Sequence, residues 1–209
     1  MKKRKLFTAL TLLGAFILWT AAISLIDLQP IGPHGSIVGF STINGWFHRL
    51  TGLHLWLYDL TDWLSLVPVA FGAGFALLGL RQWMTRKSLF KVDKSILALD
   101  IFYAVTLAAY LFFERFVINY RPVLISGILE ASYPSSTTLL VLCIMPTAAL
   151  ELQRRIKQPL LRRWVYWAIL AFTVFMVVAR LVSGVHWLTD IIGGVLLSAS
   201  LVMLYRYNT

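Results

Sequence analysis

Three clusters of side chains carry types and spacings that suit work on a phosphate. The first is Arg121-Pro122, the second Pro134-Ser135-Ser136-Thr137, and the third Arg180, His186 and Asp190, spaced Arg-x5-His-x3-Asp. Arginine forks match phosphate oxygens two at a time. A helix starting near Ser135, with a serine N-cap and proline in its first turn, offers unpaired backbone N–H groups and a positive dipole end. His186 and Asp190 are four apart, so they share a face if their segment is helical. Asp190 then accepts a hydrogen bond from one ring nitrogen and leaves the other lone pair free to attack phosphorus. Each cluster alone has a plainer reading: an interfacial arginine, a helix cap, a structural histidine–carboxylate bond. Taken together they predict a phosphoryl-transfer site, with Arg121, Ser135, Ser136 and Arg180 on the phosphate and His186 and Asp190 catalytic.

Such a site needs a frame, and composition says which kind. Of 209 residues, 59% are hydrophobic and 13% charged, and the mean hydropathy is +0.77. Soluble domains carry about 25% charged residues, so an ordinary soluble domain and a disordered chain are both excluded. Six stretches are long and apolar enough to cross a bilayer, near 6–27, 63–83, 96–118, 137–153, 164–182 and 187–205; each approaches the roughly 20 residues that a span requires. The prediction is an all-α, single-domain, six-helix membrane bundle over 1–209. The first stretch follows Lys2-Lys3-Arg4-Lys5 and reads as a retained anchor, because it is too long for a signal peptide and lacks a small-residue cleavage site. Cys143 lies in an apolar run and reads as a small core residue.

The formal charge of +10 is then a topology signal and gives no reason to expect a nucleic-acid partner. With both ends cytoplasmic, fifteen of nineteen basic residues fall inside, leaving Arg49, Arg115, Arg121 and Arg180 outside, as the positive-inside rule requires. This places all three clusters at the extracytoplasmic ends of spans three to six, in the plasma membrane. Residues 28–62 are too broken to span, and Ile43 to Leu60 suits one amphipathic helix on the membrane surface. His34, His48 and His54 on this segment read as surface histidines. Glu114 and Arg115 read as an ion pair, or as partners of loop backbone. A site at the outer rim is expected to contribute little to core packing.

The segment Ala179-Arg-Leu-Val-Ser-Gly-Val-His-Trp-Leu-Thr-Asp resembles the third signature, Ser-Arg-x5-His-x3-Asp, of the type 2 phosphatidic acid phosphatase superfamily. Arg121-Pro122 is similar to the end of that family's first signature, Lys-x6-Arg-Pro. Pro134-Ser135 is similar to the start of its second, Pro-Ser-Gly-His. The resemblance covers 96–205 in detail. It implies a metal-independent lipid phosphatase that needs no cofactor, acts on phosphorylated or diphosphorylated lipid, and forms a phosphohistidine on His186 supported by Asp190. Four positions depart from the pattern: Glu114 stands for the lysine, Ser136-Thr137 for Gly-His, and Ala179 for the serine. The histidine that protonates the leaving group is therefore absent. Glu114, His48 and His54 are the substitutes that the sequence offers, and Arg115 is a replacement for the lost cation. Two alternatives remain open: a lipid phosphotransferase, and a non-catalytic headgroup binder or transporter.

Overall fold

The computed structural model describes residues 2–209 and is nearly all helix. Eight helices follow in order: α1 (Lys2–Leu25), α2 (Ser41–Thr51), α3 (Leu55–Leu64), α4 (Leu66–Arg86), α5 (Lys94–Arg115), α6 (Ser136–Arg155), α7 (Pro159–Val182) and α8 (Leu188–Asn208). Six candidate membrane spans result, with α3 and α4 joined into one of them. At 1.5 Å per residue, even the 20-residue α6 is about 30 Å long, the thickness of the hydrocarbon core.

Helices α6 and α8 are more than half buried and form the centre, while the other spans expose most of their apolar surface. This is the arrangement expected when the solvent is lipid and only the innermost helices need protein on every side. Helix α1 lies antiparallel along α8. Trp19 Nε1 donates to the Thr189 carbonyl at one end, and Lys5 Nζ donates to the Arg206 carbonyl at the other. The two chain ends therefore lie on the same side of the bundle. On that side Glu151, fully buried, pairs with Arg155 at 2.8 Å and accepts from Ser95, and Arg155 also reaches Asp93. Asp93, between two spans, is held below the usual carboxylate range by hydrogen bonds from Gln82 and Arg86.

Two sequence expectations need correction. The single amphipathic helix over 43–60 is two helices, α2 and α3, broken at Gly52. Helix α3 then runs on into α4 instead of ending before a separate span. The junction at Ser65 follows from Pro68, which has no N–H for the Leu64 carbonyl and whose ring crowds it. Helix α2 starts without a cap from its own N-cap residue, Phe40; Asp27 serves instead, accepting from Thr42 N–H at 2.7 Å and Ser41 Oγ at 2.8 Å. These bonds pull the Asp27 pKa down to about 2.

Candidate active site

Between α5 and α6 the chain folds back on itself as a short ribbon. Arg121 N–H donates to the Glu130 carbonyl and Ser132 N–H to the Asn119 carbonyl, and the ribbon turns at Ser126-Gly127, both with positive φ. The ribbon carries Arg121 to the end of the bundle opposite the chain termini, against the loop 183–187 that joins α7 to α8. That loop is itself held by backbone. Trp187 Nε1 donates to the Tyr120 carbonyl at 2.8 Å, and His54 N–H donates to the Ser183 carbonyl at 2.9 Å. Gly184 has φ of +72° and sits so close to Gly52 that a Cβ there would lie 2.1 Å from the Gly52 carbonyl oxygen.

His186 is at the centre and only 3% exposed. Its Nδ1 lies 3.1 Å from the Ser132 carbonyl, which can only accept, so Nδ1 carries the proton. Its Nε2 lies 3.3 Å from Arg121 Nη1, which can only donate, so Nε2 presents its lone pair there. The two contacts specify one neutral tautomer. Burial first, then the charges of Arg121 and Arg180, hold the His186 pKa well below its ordinary value, against a smaller opposing effect of the Ser132 carbonyl.

Asp190 is fully buried beside it but differs from the sequence expectation. His186 precedes α8, so the two residues do not share a helical face, and Nδ1 is 3.8 Å from Asp190 Oδ2, too far for a hydrogen bond. The carboxylate instead accepts the Trp187 backbone N–H at 2.9 Å, capping α8, and faces the Asn119 amide at 3.4 Å. The Ser132 carbonyl accepts the hydrogen bond from Nδ1–H that was expected to go to Asp190. The expectation that an outer-rim site contributes little packing is also overturned: Arg180, Ser135, His186 and Asp190 are among the most buried polar residues of the chain.

The arginines converge from separate elements. Arg180, near the end of α7, donates through Nη1 to Thr61 Oγ1 at 3.0 Å and lies over the Tyr58 ring at 4.6 Å. Its Nε is buried without a partner, and an orphaned guanidinium N–H suits an anion that completes the set. Arg121 faces the same ring at 5.8 Å, and its Nε lies 2.9 Å from the Glu130 carboxylate.

A narrow cleft reaches His186 between the C-terminal end of α5 and the N-terminal end of α6, lined by Tyr110, Phe113, Glu114, Tyr133, Ser136 and His186 among others. Its free space is about 10 Å³, room for at most a single water. Glu114 thus lines the same cleft as the histidine and forms no ion pair with Arg115; both are exposed. Thr137 is buried and does not line this cleft; its neighbour Ser136 does. Ser135 occupies the N-cap position of α6, yet its hydroxyl makes no cap bond and instead accepts from Thr138 at 3.0 Å. His48 and His54 are spent on the carbonyls of Gly184 and Thr51. Among the described residues, no group of three His, Cys, Asp or Glu side chains is placed to hold a metal ion.

A family model described as PAP2 superfamily matches residues 67–209. The chain belongs to the PAP2 superfamily. The match starts well before the 96–205 stretch that carries the signature-like segments and runs to the last residue, so it takes in α4 to α8. The crystal structure of a transmembrane PAP2 type phosphatidylglycerolphosphate phosphatase from Bacillus subtilis has the same fold. It matches with a TM-score of 0.66 and 17% identity, covering 95% of this chain and 94% of that one. No curated protein matches in sequence. The superfamily membership and the six apolar helices make this a multi-pass membrane protein of a phosphatase family.

Sequence reasoning missed Tyr58, Thr61, Asn119, Glu130 and Ser132. Ser132 acts through its backbone carbonyl, which has no side-chain signature. Tyr58 lies in a segment whose many aromatic residues read as an interfacial belt.

Proposed function

We propose that this protein is a lipid phosphatase whose active site faces out of the cytoplasm at the plasma membrane and whose His186 Nε2 is the nucleophile. One observation carries this reading: Nδ1–H is committed to the Ser132 carbonyl, so the lone pair of a neutral Nε2 is directed to where two arginines converge. A headgroup binder needs the arginines but has no use for an oriented lone pair.

In the proposed reaction, the phosphate of a phosphorylated or diphosphorylated lipid draws Arg121 off Nε2 and takes its fork on the equatorial oxygens, with Arg180 beside it. Nε2 forms a bond to phosphorus as the bond to the lipid oxygen breaks. Water then attacks the phosphohistidine, releasing inorganic phosphate and returning His186 to its neutral form. Asp190 shapes the loop through the Trp187 N–H and stabilises the charge that develops on the imidazole. The Ser135 hydroxyl and the hydroxyl and N–H of Ser136 supply donors at the start of α6, the Ser135 N–H being given to the Asp190 carbonyl. No metal or cofactor has a part in this scheme.

The leaving group decides how much the missing histidine matters. A diphosphate lipid expels a phosphate whose second pKa is about 6 and which needs no proton. A monophosphate expels an alkoxide, for which a positioned acid is worth about 10²–10⁴ in rate. Thr137 cannot supply that proton, whereas Glu114 lines the cleft and takes the role. The test is phosphate release by purified protein in liposomes, offered lipid monophosphates and polyprenyl diphosphates, with trapping of an acid-labile, alkali-stable phosphoenzyme. Release and trapping that vanish in His186→Ala support the proposal. Headgroup binding without release across the panel would make the protein a binder, and transfer to an added alcohol in preference to water would make it a phosphotransferase.

A further inference from the structure

Two arginines serving one phosphate repel each other while the site is empty. A carboxylate set between them would relieve the repulsion but would also compete with the phosphate. Among the described residues Arg180 has no such partner. What lies against both guanidiniums is the Tyr58 ring, 4.6 Å from Arg180 and 5.8 Å from Arg121, both within the roughly 6 Å over which a ring face attracts a cation.

We propose that Tyr58 is the positioning residue of the anion site: its ring holds Arg121 and Arg180 on one phosphate without neutralising either. The attraction comes from the ring quadrupole, so it adds no fixed negative charge and leaves the forks free to take up phosphate oxygens. The rest of α3 supports this role. The Tyr58 carbonyl lies 3.4 Å from Arg180 Nη1, and Thr61, one turn on, gives the same nitrogen its hydroxyl at 3.0 Å. The helix is tied to the His186 loop by the bond from His54 N–H to Ser183 and by the contact of Gly52 with Gly184. Helix α3 precedes residue 67, where the superfamily match begins, so the match assigns nothing to Tyr58. The inference rests on the reading of Arg121 and Arg180 as phosphate ligands.

The experiment measures binding of inorganic phosphate to the full-length protein in nanodiscs by calorimetry. The proteins are wild type, Tyr58→Phe, Tyr58→Leu, and a series with increasingly fluorinated phenylalanine at position 58. Fluorine drains the ring face of negative charge at nearly constant shape. Tyr58→Phe should bind within about twofold of wild type, because the ring is kept. Tyr58→Leu should bind about tenfold more weakly or worse, as expected when two cation–π contacts are lost. The fluorinated series should weaken stepwise at constant melting temperature, a dependence that a purely structural side chain would not show. A flat series, or a folded Tyr58→Leu that binds like wild type, overturns the role of Tyr58. If Tyr58→Leu does not fold, the fluorinated series still decides. A wild-type protein that neither binds nor releases phosphate overturns the underlying reading as well.

Discussion

Gly184 lies two residues before His186 and offers the sharpest test of how the loop is held. An alanine there incurs two separate penalties. The first is conformational: at φ of +72° an L-residue costs about 1–2 kcal/mol, less about 0.4–1 kcal/mol because alanine also restricts the unfolded chain. The second is steric, because the new Cβ would sit 2.1 Å from the Gly52 carbonyl oxygen. The obstacle is backbone, so α2–α3 and the 183–187 loop must part by roughly 1 Å, and such overpacking costs about 1–3 kcal/mol. Gly127, at φ of +78° with nothing near its Cβ position, carries only the first penalty and serves as control. Denaturant titration in mixed micelles should therefore show a small loss for Gly127→Ala and about 2–4 kcal/mol for Gly184→Ala. Phosphate release should stay normal in Gly127→Ala and fall about 100-fold in Gly184→Ala, the usual effect of a 1 Å misplacement at a reacting centre. Equal stability and equal turnover in the two variants would refute the close approach of Gly52 and Gly184 as the device that sets the His186 loop.

His186→Ala should abolish phosphate release, while Asp190→Ala should lower it and also destabilise the fold by about 1–3 kcal/mol, because the buried Trp187 N–H loses its acceptor; unchanged melting in Asp190→Ala would contradict the capping role. The His186 pKa is lowered on folding, so the acid limb of kcat/KM should lie well below 6.5, and Arg121→Ala, which removes a nearby positive charge, should move it up. The same shift makes the unfolded chain bind the extra proton first, so this contribution to stability is present above about pH 6.5 and is lost as pH falls below it. In a Cys143-free background, a cysteine replacing the exposed Ser126 should react with an impermeant thiol reagent from outside and one replacing Gln158 should not; the reverse result would put the site in the cytoplasm. Ser183 is unsuitable for that test because it is fully buried. Glu114→Gln should slow cleavage of alkyl phosphates by about 10²–10⁴ and affect diphosphates far less, as leaving-group series would show; equal losses on both would remove Glu114 as the proton donor.

The six spans were legible because lipid enforces long apolar runs, and Arg121, Arg180, His186 and Asp190 stood out because ionised groups at membrane depth are rare. The helix break at Gly52 was not legible. An amphipathic pattern continues across the glycine, which ends α2 with a φ of +73°, the left-handed conformation that glycine adopts past a helix end. The His186–Asp190 pair was legible as a pair but wrong in its bonding. Spacing of four suggests a shared helical face, whereas α8 starts only at Leu188 and uses Asp190 for its own first turn. The proton acceptor for Nδ1 is a carbonyl carried by the ribbon, and any residue at position 132 would present one.

Two of the departures from the superfamily pattern, Glu114 and Thr137, acquire a common physical sense in the structure. A lysine at position 114 and a histidine at 137 would supply a cation to the phosphate and a proton to the leaving group from opposite walls. Here Thr137 is buried and Ser136 lines the cleft. The wall at 114 carries an acid in place of a cation. Proton delivery can move from α6 to α5 only if the phosphate keeps enough positive charge from elsewhere. In the proposed site that charge comes from Arg121 and Arg180, whose guanidiniums both lie over the Tyr58 ring. Glu130 lies 2.9 Å from the Nε edge of Arg121, leaving Nη1 directed at His186. A site that has exchanged its lysine for a carboxylate depends more heavily on its two remaining cations, and therefore on whatever keeps them together. On the proposed reading, α3, outside the matched part of the chain, shares with the signature residues the task of holding the two arginines.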